Sequence, residues 1–178
     1  MTGLTQWYPP QRRLMPPDIA EWLLHKGSLT RRLIKHNQGV FSVDLLGNSW
    51  IKPLIDESLS LKSPLNELSY QREVRLMDGD RANVYARTIV PRTTYMNMQH
   101  RFNQLGSKPL GELLFSDPTV TRGPIEIACI KPGQWLYEMA LLEEEERPQV
   151  LWGRRSQFHI AGKGLLVNEI FLPALYSR

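Results

Sequence analysis

Cysteine is nearly absent from this chain of 178 residues, whose one thiol is Cys129. One cysteine excludes an internal disulfide and suits a reducing compartment. No two of the four histidines stand at the i, i+2 or i, i+4 spacing usual for metal ligands. The chain also lacks the glycine-rich motifs of dinucleotide and P-loop sites, and it lacks G-x-S-x-G. We therefore expect no metal and no other cofactor, and a chemistry based on arginine and carboxylate side chains.

Long apolar runs are absent as well. No window approaches the roughly 18 consecutive apolar residues that span a bilayer. Residues 1–14 have no apolar segment of the kind found in secretion signals. We therefore predict a soluble, cytoplasmic protein without an integral membrane segment.

Clusters of basic residues are absent from the sequence as well. The chain has 22 basic and 18 acidic residues, a net charge of +4, and the basic residues are interleaved with acids. This pattern predicts mild attraction for small anions and no nucleic-acid partner. An RNA-binding module would need aromatics alternating with Lys and Arg on a sheet face, and the strand patterns do not show them. With 42% hydrophobic residues, the chain suits one domain over residues 1–178, expected to be a monomer.

Helical spacing, alternation and turn residues predict an α+β protein. Residues 1–16 are rich in proline and predict an irregular lead-in, and residues 53–68 predict a loop with one helical turn. Ser28 is a good N-cap, and Pro109 suits a first helical position. The predicted helices cover residues 18–26, 29–36, 95–105 and 109–115. The predicted strands cover residues 39–46, 49–52, 69–77, 83–90, 125–130, 151–160 and 165–173.

Turn residues predict how the strands pair. Gly47 and Asn48 predict a hairpin between residues 39–46 and 49–52. Asp78, Gly79 and Asp80 predict antiparallel pairing of the strands on either side of them, residues 69–77 and 83–90, and A-G-K-G predicts the final hairpin.

Charged residues share faces with apolar ones in the predicted strands. Glu169 alternates with Leu165, Val167 and Phe171, and Arg72 alternates with Tyr70, Val74 and Leu76. Arg87 and Arg154 lie in similar apolar surroundings in their own strands. One glutamate cannot neutralise three inward arginines, so the pattern leaves room for an anionic small molecule. Alternatively, each arginine lies at the edge of the core and pairs with a backbone carbonyl or a rim carboxylate.

Seven short motifs, taken together and in this order, resemble the chorismate lyase family of bacterial ubiquinone synthesis. They are S-L-T-R-R-L from Ser28, R-E-V from Arg72, A-R-T-I-V-P from Ala86, K-P-L-G-E-L-L-F from Lys108, T-R-G-P-I-E-I from Thr121, W-G-R-R-S from Trp152 and L-L-V-N-E-I-F-L-P from Leu165. The resemblance implies one antiparallel sheet of about six strands, with helices covering one face as lids. It implies an enzyme, a carbon–oxygen lyase that converts chorismate to 4-hydroxybenzoate and pyruvate.

The resemblance also implies roles for single residues. Arg72 would bind the ring carboxylate of chorismate together with the backbone N–H groups of Leu29 and Leu110, and Glu169 would contact the ring hydroxyl. Both leucines fall in the first turn of a predicted helix, where N–H groups lack intrahelical partners. Arg87 would bind the enolpyruvyl carboxylate, with Arg154 or Arg155 as weaker candidates. Whether Glu169 transfers a proton or only orients the hydroxyl stays open.

Two departures from the family accompany these expectations. Leu29 replaces a methionine, which a backbone contact should tolerate, and residues 131–149 form a longer excursion that contains the acidic run Glu143–Glu146. We expect this run to be a solvated loop or helix end, with a docking surface as the alternative. A second reading of the whole chain is a non-catalytic domain of the same fold that senses a small anion.

Overall fold

Seven strands form one antiparallel sheet in the computed structural model, which describes residues 3–176. The strands lie in the order β1-β2-β3-β7-β6, and the short strands β4 and β5 both pair with β6. An α+β fold on one antiparallel sheet is thus confirmed. The strand bounds are β1 Phe41–Ile51, β2 Ser69–Asp78, β3 Arg81–Pro91, β4 Thr121–Arg122, β5 Glu126–Ile130, β6 Leu151–Ile160 and β7 Lys163–Phe171.

The helices begin where the sequence has caps or prolines. Ser28 accepts a hydrogen bond from the Arg31 amide at 3.3 Å and caps one helix, and prolines precede or open three others. The described helices are α1 Pro17–Leu23, α2 Leu29–His36, α3 Ile55–Leu61, α4 Arg92–Asn103, α5 Leu110–Ser116 and α6 Trp135–Ala140, with 3₁₀ turns at Arg12–Leu14 and Pro173–Leu175. None of these helices is long and apolar enough to cross a membrane.

The predicted hairpin at Gly47 and Asn48 is wrong. β1 runs through both residues as one strand and pairs with β2 along its whole length, with only a register shift between Leu45 and Gly47. Two-residue hairpins need positive φ, and neither turn residue adopts it. By contrast, Ala161 and Gly162 both have positive φ and connect β6 to β7 as predicted.

The two faces of the sheet carry different charges, because directly paired residues share a face. Val74, Ala86, Glu169 and Arg154 form one cross-strand row, on the face that we call the front. Glu73, Arg87, Asn168, Arg155 and Glu126 form a row on the opposite, back face. The adjacent arginines of W-G-R-R-S therefore point in opposite directions.

Helices cover both faces. On the front, α1 and α2 pack over Val74 and Leu76, and α4 and α5 pack over Tyr70 and Val90. On the back, α6 packs against Tyr85. Helices were predicted to cover one face as lids, and the two short helices α3 and α6 lie on the back face in addition.

The back face neutralises its own charge. Arg87 donates to Glu57 Oε1 at 2.8 Å and to Glu73 Oε1 at 2.8 Å, and Asn168 donates to Glu57 at 3.0 Å. Although burial opposes the charged form, the neighbouring carboxylates raise the pKa of Arg87. Glu57 belongs to α3, so this network holds α3 on the sheet. The predicted loop over residues 53–68 therefore contains a helix of seven residues.

The excursion over residues 131–149 packs partly on the body. Leu136, Tyr137 and Leu141 are buried in the back-face core. Within the acidic run that follows, Glu143 and Glu145 are exposed. Glu143 forms an ion pair with Arg75 of β2.

The Glu57→Ala substitution should destabilise the fold strongly. It removes the carboxylate that pairs with Arg87 and leaves a buried cation with one partner fewer. We expect the free energy of unfolding to fall by roughly 3–5 kcal/mol. Urea titration followed by circular dichroism measures this value. The exposed Glu145→Ala should change it by less than about 0.5 kcal/mol, and equal effects of the two substitutions would contradict the role assigned to Glu57.

Candidate active site

An enclosed cavity of about 50 Å³ lies between the front face and its helices. Strands β2, β3 and β7 form its floor, and the first residues of α2 and α5 form part of its roof. Most of its walls are apolar, with Arg72, Glu169, Thr30 and Thr88 as the polar exceptions. The cavity thus brings together four of the predicted site residues, namely Arg72, Glu169, Leu29 and Leu110.

Arg72 is a buried cation without a carboxylate partner. Its side chain lies on β2, it is 3% exposed, and its Nη2 donates to the carbonyls of Gly106 at 3.0 Å and Lys108 at 2.9 Å. Among the ion pairs of residues 3–176, none involves Arg72. Burial lowers the pKa of Arg72, but a guanidinium starts from about 12 or above and stays charged. A buried charge of this kind favours an anionic ligand.

Glu169 faces the same cavity from β7. Its side chain is 16% exposed, and its Oε2 accepts a hydrogen bond from Arg154 Nε at 2.5 Å. The Arg154 side chain is 1% exposed and does not line the cavity. Arg154, a weaker candidate for the enolpyruvyl carboxylate, is thus paired with Glu169.

Two helix starts meet at the roof of the cavity. Leu29 and Leu110 are the first residues of α2 and α5, where backbone N–H groups have no intrahelical acceptor. Gly111 allows the two helices to approach closely, because a Cβ at this position would lie 3.2 Å from Thr30 Oγ1. The predicted pair of N–H groups is therefore next to the cavity that holds Arg72.

Arg87, which was expected to bind the enolpyruvyl carboxylate, lies on the back face of the sheet, opposite the cavity. It sits opposite Glu73 in the register of β2 and β3, whereas Arg72 sits opposite Thr88. The hairpin begins with Asp78 opposite Arg81, and an unbroken continuation would place Arg87 opposite Arg72. A register shift between Leu76 and Met77 moves every later pair by one residue and so reverses the face of Arg87. Arg155 is likewise on the back, paired with Glu126 and Asp56.

Arg122 is a cation near the site that sequence reasoning did not select. Its Nε donates to Ser156 Oγ at 3.0 Å and its Nη1 to the Lys26 carbonyl at 3.2 Å, and its guanidinium lies 5.2 Å from the centroid of the Phe158 ring. Burial and the charge of Arg154 lower the pKa of Arg122, while Glu169 raises it. It has no carboxylate within ion-pair distance among the described residues. Because β4 has only two residues, no alternation marked Arg122 in advance.

The fold and the cavity define an α+β protein with an enclosed, arginine-containing site. A model of the chorismate lyase family matches residues 2–178. A Pseudomonas aeruginosa protein named "Probable chorismate pyruvate-lyase" is 40% identical over 162 residues, covering 91% of this chain and 87% of that protein. A Shewanella frigidimarina protein of the same name is 38% identical over 185 residues, covering 94% and 88%. The chain belongs to the chorismate lyase family and is therefore a lyase.

Solved structures share the fold at low sequence identity. A gene product from Staphylococcus aureus superimposes with a TM-score of 0.58 at 9% identity, covering 84% of this chain and 90% of that one. A GntR-family transcriptional regulator from Bacillus cereus superimposes with a TM-score of 0.55 at 8% identity, covering 75% and 92%. At such identities the likeness concerns the fold alone.

Proposed function

We propose that this protein eliminates pyruvate from chorismate to give 4-hydroxybenzoate, and that it thereby supplies the ring of ubiquinone in the cytoplasm. The observation that carries the proposal is the buried, uncompensated Arg72 in a mostly apolar cavity that also holds Glu169. Family membership supports the same reaction. Chorismate is a dianion with a ring, a hydroxyl and an enolpyruvyl ether, so it matches a cavity with cationic, carboxylate and apolar parts.

The reaction needs little covalent help from the protein. The C3–O ether bond breaks, the hydrogen on C4 is lost from the ring, and the ring becomes aromatic with its hydroxyl retained. The enolpyruvyl group leaves with the oxygen of the ether and gains one hydrogen to become pyruvate. Aromatisation provides driving force, so the protein has mainly to orient the dianion, exclude water and stabilise the charge on the departing oxygen.

The ring carboxylate is assigned to Arg72 and to the N–H groups of Leu29 and Leu110. A guanidinium and helix-start N–H groups are both good partners of a carboxylate, and they meet at one end of the cavity. Glu169 is assigned to the 4-hydroxyl. Because Arg154 occupies Oε2 of Glu169, the other oxygen is available to accept from this hydroxyl. Orientation of the hydroxyl suffices if the hydrogen passes within the substrate to the enolpyruvyl methylene.

The enolpyruvyl carboxylate is assigned to Arg122. Arg87 is excluded by its face, whereas Arg122 lies over Phe158, which lines the cavity. Its guanidinium is held only by a hydroxyl and a backbone carbonyl. A carboxylate there would also screen Arg122 from the neighbouring charge of Arg154.

The cavity must enlarge before it can hold a ring. Its free volume of about 50 Å³ is small beside the roughly 300–1,000 Å³ of typical small-molecule pockets. Helices α2 and α5, which line the cavity, therefore have to move aside when substrate binds and when product leaves.

Arg72→Ala and Glu169→Ala should each lower turnover by at least tenfold, a rise of about 1.4 kcal/mol or more in the barrier. Each substitution removes a polar partner of the substrate. Pyruvate release in a coupled dehydrogenase assay measures the rate, and thermal unfolding checks the fold. Arg75→Ala is the matched control, because Arg75 is on the same strand as Arg72 but faces the back. Near-normal turnover in either site variant would remove that residue from the site.

The Arg122→Ala substitution should weaken the binding of chorismate but not the binding of 4-hydroxybenzoate. Chorismate carries the second carboxylate and 4-hydroxybenzoate does not. We expect KM for chorismate to rise about tenfold or more, as for a lost charge-assisted contact, while the inhibition constant of 4-hydroxybenzoate changes little. The exposed Arg101→Ala, on α4, serves as control. Equal weakening of both ligands would show that Arg122 does not bind the enolpyruvyl carboxylate.

Product release should be slower than the chemical step, because α2 and α5 lie over the cavity and have to move for the product to leave. Stopped-flow mixing with excess chorismate should therefore show a burst of about one 4-hydroxybenzoate per protein, followed by slower turnover. A linear time course from the first turnover would contradict this expectation.

A further inference from the structure

Arg154 connects the candidate active site to α1, which packs on the front face beside the cavity. Its Nε donates to Glu169 Oε2 at 2.5 Å, and its Nη1 donates to the carbonyls of Trp22 at 3.0 Å and His25 at 2.6 Å. Trp22 lies in the last turn of α1, and His25 follows that helix. One side chain thus bridges β7 and the C-terminal end of α1.

The bridge is buried, which makes each of its bonds consequential. Arg154 is 1% exposed and is among the largest fully buried side chains of the described residues. A guanidinium removed from water must keep its hydrogen-bond partners, because an unsatisfied buried charge is costly. The carbonyls at a helix C-terminus also carry partial negative charge and so suit a cation.

Movement of α1 would therefore disturb Glu169. If α1 lifts away, Nη1 loses both carbonyls, and Arg154 has to find other partners or admit water. The Arg154 guanidinium is then no longer held in one position, so its hydrogen bond to Glu169 no longer fixes the orientation of that carboxylate. Conversely, a change at Glu169 alters the charge balance around Arg154 and weakens the hydrogen bonds from Arg154 to the end of α1.

We infer that Arg154 is a positioning residue that makes the orientation of Glu169 depend on the packing of α1 against the sheet. Glu169 is held in its place for the substrate hydroxyl only while α1 stays packed on the front face beside the cavity. This inference rests on the proposed function for its catalytic meaning, but the mechanical link does not depend on it.

Amide hydrogen exchange in the free protein tests the link without any substrate. Glu169→Gln keeps the shape of the side chain and removes its charge. We expect the amides of residues 20–25 to exchange about threefold faster or more in this variant, although Glu169 donates no bond to α1. Glu126→Gln is the matched control, because Glu126 pairs with the neighbouring Arg155 on the back face. Unchanged exchange of residues 20–25 in Glu169→Gln would overturn the inference.

A double-substitution cycle tests the positioning role. Arg154→Lys keeps the charge but has one nitrogen in place of the separate Nε and Nη1 donors that reach Glu169 and α1. Single-turnover rates should fall about tenfold or more for Arg154→Lys in the presence of Glu169, and by less than about threefold when Glu169 is already Gln. Equal effects in the two backgrounds would show that Arg154 does not act through Glu169. Absence of chorismate cleavage by the unmodified protein would defeat the proposed function instead, and the exchange experiment would still decide the link.

Discussion

A buried guanidinium without a carboxylate partner sets the requirements for the front of this protein. Arg72 carries a full charge in a mostly apolar cavity and is held there by two backbone carbonyls. Carbonyl dipoles fix its position but do not neutralise it. Burying the unpaired charge of Arg72 is unfavourable, and a bound carboxylate would offset this cost. The cavity therefore suits an anionic ligand.

The buried arginines of the back face, unlike Arg72, are paired with carboxylates. Arg87 and Arg155 are also buried, but each has two carboxylates. Those networks join α3 and the lead-in segment to the sheet, since Trp7 donates to Asp56 and its ring lies under Arg155. The same residue type therefore stabilises the fold on one side and leaves a cation without a carboxylate partner on the other.

The helices on the front face affect the proposed chemistry in two ways. An enclosed cavity excludes water and strengthens charge interactions, but it also requires the helices to move for each turnover. Arg122 and Arg154 both bind backbone carbonyls between Trp22 and Lys26, next to the loop that joins α1 to α2. The two arginines that interact with Glu169 thus also bind the segment at the end of α1.

Local pattern determined much of the protein. Alternation in β2 and β7 was sufficient to place Arg72 and Glu169 on inward faces, because the side-chain period of a strand depends only on its backbone. Caps at Ser28 and Pro109 likewise marked the starts of α2 and α5. Tertiary structure alone decided the rest. Whether Arg87 joins Arg72 depends on one register shift in a hairpin, and Gly47 remains in a strand because β2 pairs with it throughout. Arg122 and the partners of Arg154 come from segments distant in sequence, so no local pattern contains them.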